Sequence, residues 1–151
     1  MTPENISITD IQKIVHITRQ NFRLPEDDII EKILNVFNPE TRPQLNKILI
    51  KACILHNQSI KNIISKSRDG TFVRVRQQYC LIAFMFDYYL SQIGSMIGNR
   101  NYITVRNAKN KALIFYQSES KYKQEVLQLI DEFPKYKEIL LEKLERLIVE
   151  N

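Results

Sequence analysis

The sequence contains little glycine, proline or cysteine. Its 151 residues include three glycines, five prolines and two cysteines. A strand-and-turn architecture needs many more glycines and prolines at its turns, so these counts exclude a mainly β fold. No apolar run reaches the roughly 20 residues of a membrane-spanning helix, and the N-terminus lacks the basic-then-apolar pattern of a secretory signal. We therefore expect a cytoplasmic protein without a membrane partner.

The sequence also lacks the residue patterns of catalytic and metal sites. His16 and His56 are far apart, and neither stands at ligand spacing from a cysteine or a carboxylate. Three serines lack a partnered base that would activate them as nucleophiles: Ser65, Ser67 and Ser91. We expect no enzymatic activity, no cofactor and no metal.

Three groups of residues allow two interpretations each. The acids at 26–28 follow Pro25 and form either a metal cluster or a helix start, and the proline favours the helix start. Cys53 and Cys80 stand among apolar residues, which favours buried thiols over a disulfide. The aromatic residues of 84–89 are either a stacking platform for single strands or, given their helical spacing, part of the core.

Apolar residues recur at helical spacing through nearly all of the chain. This periodicity predicts an all-α fold, a compact multi-helix domain that contains a helix-turn-helix and has extra helices at both ends. Helices are predicted at residues 8–22, 25–37, 44–56, 59–64, 72–86, 90–116 with a glycine turn inside, 126–133 and 135–149. We divide the chain into an N-terminal helical extension (1–43), a helix-turn-helix domain (44–133) and a C-terminal amphipathic helix (134–151).

Positive charge is concentrated in the middle of the chain. The whole chain has a formal charge of +5, whereas residues 57–117 hold nine lysines and arginines against two aspartates, a net charge of +7. A basic segment between near-neutral ends is typical of a surface that faces phosphates. The alternative is a solvated face that is basic without a binding role.

Two of the three glycines stand four residues apart in Ile93-Gly94-Ser95-Met96-Ile97-Gly98-Asn99-Arg100. A small residue lets two helices pack closely, and a glycine allows the left-handed backbone of a tight turn, so this pattern predicts a helix-turn-helix. Other helical hairpins contain glycine turns as well. The predicted second helix begins with polar and basic residues, and in helix-turn-helix proteins this end enters the major groove of DNA.

Residues 90–105 read Leu90-Ser91-Gln92-Ile93-Gly94-Ser95-Met96-Ile97-Gly98-Asn99-Arg100-Asn101-Tyr102-Ile103-Thr104-Val105. This stretch resembles the signature of the DNA-binding domain of DnaA, the bacterial chromosomal replication initiator. That signature runs roughly Leu-x-x-Ile-Gly-x-x-Phe-Gly-Gly-Arg-Asp-His-Thr-Thr-Val. Upstream, Ser65-Lys66-Ser67-Arg68 and Val73-Arg74-Val75-Arg76-Gln77 resemble the family's basic loop and its Arg-Pro-Arg-Gln helix start, at matching spacing. The resemblance covers residues 46–133 and implies a helix-turn-helix of the Trp-repressor-like type that binds double-stranded DNA.

The resemblance also implies roles for individual residues. The family's minor-groove arginine falls on Arg68, and its phosphate-contacting positions fall on Gln77, Leu90, Thr104 and Lys111. Its base-reading trio, Asp-His-Thr, falls on Asn101, Tyr102 and Ile103, and Gly70 replaces a basic residue of the loop. Further candidates for contacting DNA are basic or amide side chains on the same elements: Lys66, Arg74, Arg76, Arg100, Arg106 and Asn107.

Because none of the base-reading trio is retained, the DNA site is expected to differ from the family's usual box. Asn101 has the groups that pair bidentately with adenine, and Ile103 offers an apolar contact, for example to a thymine methyl, so we predict a preference for A·T-containing sites. The phosphate loop of the initiator's ATPase, Gly-x-x-x-x-Gly-Lys-Ser/Thr, does not occur in the sequence. This chain is therefore not expected to act as an ATP-driven initiator by itself.

These observations predict a double-stranded DNA-binding protein of replication initiation or transcription regulation in a bacterial cell, with phage or mobile-element origin as one option. The alternative is a helical interaction or structural protein, for example in a virion or a complex, that keeps the fold with weak or non-specific DNA binding. Under either function, the C-terminal helix is either simple packing or an arm that binds a protein partner or a second copy of the chain.

Overall fold

The structure is a computed structural model that describes residues 42–150, and every regular element in this range is helical. Seven α-helices follow one another in it, α1 to α7: Leu45–Leu55, Ile60–Ile64, Gly70–Met85, Leu90–Ser95, Tyr102–Ser118, Ser120–Asp131 and Lys137–Glu150. One turn of 3-10 helix, Pro134–Tyr136, precedes α7. The prediction of an all-α, multi-helix fold is confirmed. The helices predicted at 8–22 and 25–37 lie outside the described residues.

Helix α3 is the centre of the core. Its residues 75–83 are buried without interruption, and it contacts α1, α2, α4, α5 and α7. A helix enclosed in this way must have apolar or hydrogen-bonded side chains around its whole circumference. The Tyr79 hydroxyl accordingly donates to the Ile93 carbonyl oxygen at 3.0 Å, and the Gln78 amide donates to Glu125 at 3.0 Å. Within the described range, every buried side-chain nitrogen and oxygen has a hydrogen-bond partner.

Short polar residues set the ends of the helices. Asn57, Asp87 and Asn99 all have positive φ, the conformation that asparagine and aspartate tolerate better than other non-glycine residues. Asn57 follows α1, Asp87 follows α3, and Asn99 lies in the turn before α5. At the start of α3 the Asp69 carboxylate accepts from the Thr71 N–H at 2.9 Å. Because of this cap, α3 begins at Gly70, two residues before the predicted start.

The structure decides between the interpretations left open for the cysteines and the aromatic residues. Cys53 and Cys80 are buried free thiols, and burial raises the pKa of both. Of the four aromatic residues at 84–89, Phe86 is buried, Phe84 and Tyr88 are partly buried, and Tyr89 is exposed. The segment is therefore mainly part of the core.

The C-terminal helix α7 packs on the same core. Leu140 and Leu144 are fully buried, and α7 contacts both α3 and α6. The Lys143 ammonium donates to the Met85 carbonyl oxygen at 2.8 Å and to Asp87 at 2.7 Å, which fixes α7 at the end of α3. From Pro43 onward, the described residues accordingly form one compact unit. Ile139, which is 54% exposed, lies on the outward side of α7.

Among the helices between residues 42 and 150, none combines the length and the apolar character that crossing a membrane would require.

We predict that Leu144→Ala lowers the free energy of unfolding by about 2–5 kcal/mol, because it leaves a cavity between α7 and the core. The matched control, Ile139→Ala, removes an exposed side chain from the same helix and changes this free energy by less than about 0.5 kcal/mol. Urea unfolding followed by circular dichroism measures both. Equal, small effects of the two substitutions would show that α7 does not share the core.

Candidate nucleic-acid interface

The predicted helix-turn-helix is present as α4, a turn over residues 96–101, and α5. The Arg100 N–H donates to the Gly94 carbonyl oxygen at 3.0 Å, which brings the two ends of the turn together. A Cβ atom at Gly94 would overlap the Arg100 carbonyl oxygen. Gly98 has a φ of +83°, and a Cβ there would overlap the carbonyl oxygen of Ile64. Both positions therefore require glycine, because another part of the backbone lies where a Cβ atom would be. These are the two glycines, four residues apart, from which the turn was predicted.

Helix α5 begins with a side-chain cap. The Asn101 Oδ1 accepts from the Thr104 N–H at 2.9 Å, as a helix N-cap does. Tyr102 and Ile103 occupy the first turn and are 54% and 43% exposed. The structure thus assigns Asn101 a capping role that the sequence analysis did not consider, because that analysis treated its amide only as a group that reads adenine.

Arg76 of α3 holds the basic loop from inside. Only 6% of this residue is exposed. Four of its five N–H groups lie against backbone carbonyl oxygens: Nε donates to Ile63 at 2.7 Å, Nη1 to Ser67 at 2.7 Å, and Nη2 to Ser65 at 2.8 Å and Asn62 at 3.2 Å. The basic loop of the structure comprises residues 65–69, since α3 begins at Gly70. The Arg76 donors are therefore committed to the end of α2 and to this loop.

Arg100 reaches the same loop from the other side. Its Nη2 donates to the Ser65 carbonyl oxygen at 2.7 Å, and its Nη1 donates to the Ile97 carbonyl oxygen. Burial is the main cause that lowers the pKa of both Arg76 and Arg100 from the ordinary value, and the positive charge of Arg100 lowers that of Arg76 further. Both guanidiniums remain charged at neutral pH, because arginine loses its proton only at much higher pH.

A cleft of about 700 Å³ lies between the basic loop and α5. We call it the basic cleft. Eight of the residues predicted to contact DNA line it: Lys66, Arg68, Arg76, Gln77, Arg100, Thr104, Asn107 and Lys111. Of the residues that the structure describes, none with a carboxylate lines this cleft. The charged side chains that line it are therefore all cations.

Three cations of the basic cleft are not neutralised by the protein. Lys66, Arg68 and Lys111 are exposed, and within residues 42–150 none of them forms an ion pair or a side-chain hydrogen bond. Exposed cations that meet around one concave surface raise the local concentration of anions. This part of the site can bind a polyanion without first breaking an internal ion pair.

Gln77 supplies a neutral donor to the wall of the basic cleft. It is 95% buried, since its exposed fraction is 5%, and its Oε1 accepts from the Tyr122 hydroxyl at 3.0 Å. Burial raises the pKa of Tyr122 further above neutrality, and the protonated hydroxyl is the donor in this bond. The hydrogen bond fixes the amide plane and leaves the Gln77 amide nitrogen as the group available to a ligand.

The structure does not bring the other six predicted residues into the cleft lining. Arg74 points elsewhere: its Nε donates to Glu125 at 2.6 Å, and its guanidinium lies 4.7 Å from the centre of the Tyr122 ring. Leu90 is half-buried at the start of α4. The remaining four lie on or next to the first two turns of α5 and are exposed: Asn101, Tyr102, Ile103 and Arg106.

The sequence analysis missed two parts of the site. The apolar wall of the cleft contains Val73, Ile97 and Ala108, to which the sequence analysis gave no role in the site. Glu125, which pairs with Arg74, is 51 residues away in the chain, and no local pattern connects the two. In the described part of the chain, no three His, Cys, Asp or Glu side chains gather as a metal site would require.

The three glycines give a direct test of the turn. Gly94→Ala and Gly98→Ala should each lower the free energy of unfolding by more than about 1 kcal/mol, because the added methyl group overlaps a backbone carbonyl. Gly70→Ala is the control, since no atom lies within 4 Å of its Cβ position. It should leave stability unchanged or raise it by up to about 1 kcal/mol. Thermal melts of the three variants measure these changes in stability. A Gly98→Ala variant as stable as the wild type would contradict this turn geometry.

Comparison of the chain with models of known protein families, with curated proteins and with solved structures finds no significant match. The resemblance to the initiator's DNA-binding domain therefore depends on the two motifs in the sequence. The functional assignment depends on the geometry of the basic cleft and of α5.

Proposed function

We propose that the protein binds double-stranded DNA through the basic cleft and the N-terminal turns of α5, and that it is not an enzyme. The observation that carries this proposal is a group of three cations, Lys66, Arg68 and Lys111, that have no ion-pair partner among the described residues and surround a cleft whose described lining has no carboxylate. Lysine and arginine contacts to phosphates supply most of the sequence-independent affinity for DNA, because they release condensed counterions. In a bacterial cell, such a protein acts in the cytoplasm on replication or transcription.

The placement of the unpaired cations around the basic cleft supports DNA as the partner. Five cations outside the cleft lining form ion pairs with acids: Lys51–Glu132, Arg74–Glu125, Lys137–Asp131, Lys143–Asp87 and Arg146–Glu142. Other exposed cations, among them Lys47, Lys61 and Lys121, form no ion pair with a described residue either. Lys66, Arg68 and Lys111 differ from these because they line one concave surface on which no described residue has a carboxylate.

The arrangement of the elements also fits a duplex. The first turn of α5 exposes Tyr102 and Ile103, and the second helix of a helix-turn-helix reads bases with the side chains of this end. The basic loop faces the same cleft as α5, so it can contact the backbone or the minor groove beside the major groove that α5 enters. Arg68 is the loop side chain that we assign to this contact, in agreement with the resemblance.

The charge test compares two triple variants with the same change in net charge. Lys66→Ala, Arg68→Ala and Lys111→Ala together remove the unpaired cations of the basic cleft. Because each phosphate contact contributes about 0.9 to the slope of log K against log salt concentration, this slope should fall by about 2–3. The control replaces three exposed lysines that do not line the cleft, Lys47, Lys121 and Lys135, and should leave the slope nearly unchanged.

Binding is measured with short duplexes over a salt titration. An equal fall in the slope for the two triple variants would show that binding depends only on the net charge of the protein. A wild-type protein that binds no duplex at low salt would contradict the proposed function, and would favour a helical interaction protein.

Asn101 allows capping and base reading to be separated. Asn101→Ala should lower the free energy of unfolding by about 1 kcal/mol, because the N-cap acceptor is lost. Asn101→Ser keeps a capping oxygen but lacks the amide that could pair with adenine, and it should keep the stability of the wild type within a few tenths of a kcal/mol. Because the cap uses only Oδ1 of Asn101, selection from random duplexes should give a weaker preference for A·T pairs with the serine variant than with the wild type. An unchanged motif would show that Asn101 caps α5 and reads no base.

A further inference from the structure

The sequence analysis treated Arg76 as a candidate for contacting DNA, but its guanidinium is buried against backbone carbonyl oxygens. On the basis of the proposed DNA-binding function, we propose that Arg76 and Arg100 are positioning residues that hold the basic loop and the recognition helix α5 in one fixed arrangement, and that neither contacts the phosphates. Together they donate to carbonyl oxygens of Asn62, Ile63, Ser65, Ser67 and Ile97.

Arg76 and Arg100 differ from the other cations of the cleft because their guanidinium N–H groups already donate to backbone carbonyl oxygens. A buried guanidinium is stable only when its N–H groups have acceptors. For Arg76, four of five N–H groups have carbonyl acceptors. Turning this side chain towards a phosphate would take away the Arg76 donor from the Ile63 and Ser67 carbonyls, for which no other donor is present among the described side chains. Lys66 and Arg68 have no such bonds and can reach a ligand without this loss.

The basic loop has few other restraints. The four side chains at 66–69 are exposed and have no apolar anchor. The serine hydroxyls of the loop form three short-range bonds: Ser65 Oγ to the Asn62 carbonyl at 2.6 Å, the Ser67 N–H to Ser65 Oγ at 3.3 Å, and the Asp69 N–H to Ser67 Oγ at 3.2 Å. These bonds shape the loop locally but do not connect it to the core. Ordering a loop of this kind costs conformational entropy, which long-range bonds must offset. Here the two arginines supply the long-range bonds.

One acceptor couples the loop to the recognition helix. The Ser65 carbonyl oxygen accepts from Arg76 Nη2 at 2.8 Å and from Arg100 Nη2 at 2.7 Å. Arg76 belongs to the central helix α3, and Arg100 lies in the turn immediately before α5. The Gly98 backbone approaches the neighbouring Ile64 carbonyl so closely that no side chain fits between them. The two elements that meet DNA are thereby held at one separation before DNA arrives.

The first measurement needs no DNA. Trypsin cleaves after Lys66 and Arg68 only when the loop opens locally, so the cleavage rate reports the order of the loop. Arg76→Lys keeps the charge, but one ammonium group cannot serve carbonyls spread from residue 62 to residue 67. We expect cleavage at these two sites to become at least about tenfold faster in Arg76→Lys. Arg100→Lys, which loses two bonds instead of four, should show a smaller increase and provides the same readout if Arg76→Lys does not fold.

Two controls accompany the proteolysis. Cleavage after Lys111, in the middle of α5, requires that helix to unfold, so a constant rate at this site shows that the fold is intact. Arg106→Lys changes an exposed arginine of α5 that has no partner among the described residues. It should leave cleavage of the loop unchanged. Unchanged cleavage of the loop in both Arg76→Lys and Arg100→Lys would overturn the proposal.

The second measurement uses short duplexes over a salt titration and compares Arg76→Lys with Arg76→Gln. For a positioning residue, both variants lose affinity to a similar extent, and the slope of log K against log salt stays at the wild-type value. For a phosphate contact, the lysine variant binds nearly as well as the wild type, and the glutamine variant loses about 0.9 from the slope. The second result would overturn the proposal. Absence of binding by the wild type would instead contradict the proposed function, while the proteolysis still decides the role of the arginines in the loop.

Discussion

Two guanidinium groups, those of Arg76 and Arg100, meet at the carbonyl oxygen of Ser65. This shared acceptor joins the central helix, the basic loop and the turn of the helix-turn-helix, which are distant in sequence. The interaction is strong because both donors are charged and part-buried, where water competes little. The separation of the loop from α5, and hence the shape of the basic cleft, depends on it.

The central helix makes this arrangement possible. Residues 75–83 are buried, so the direction of α3 is fixed by packing on all sides. Its first turn extends beyond that enclosed segment and carries Arg74, whereas Arg76 lies at the start of the buried segment. Arg74 is paired with Glu125 and lies against the Tyr122 ring, whereas Arg76 turns into the loop. Two arginines with similar sequence context therefore have different structural roles, neither of which leaves the guanidinium free for a ligand.

Electrostatics and packing together define the candidate interface. Ion pairs neutralise cations on α1, α3 and α7, while Lys66, Arg68 and Lys111 around the cleft between the basic loop and α5 are unpaired among the described residues. The positive surface is concave and adjoins the exposed first turn of a helix, as DNA recognition by a helix-turn-helix requires. Burial of Gln77, oriented by Tyr122, adds a neutral donor whose position does not depend on a flexible side chain.

The sequence by itself determined the helical class, the glycine turn with Gly94 and Gly98, the basic middle segment and the burial of both cysteines. These follow from local rules: apolar spacing, the backbone freedom of glycine and the counting of charges. Only the tertiary structure decided which cations remain available, because the partners of Arg74 and Arg76 lie on other elements, up to 51 residues away. It likewise gave Asn101 its capping role and placed α7 in the core. Pairing and packing are properties of the folded chain, since they depend on distances in space that sequence spacing does not specify.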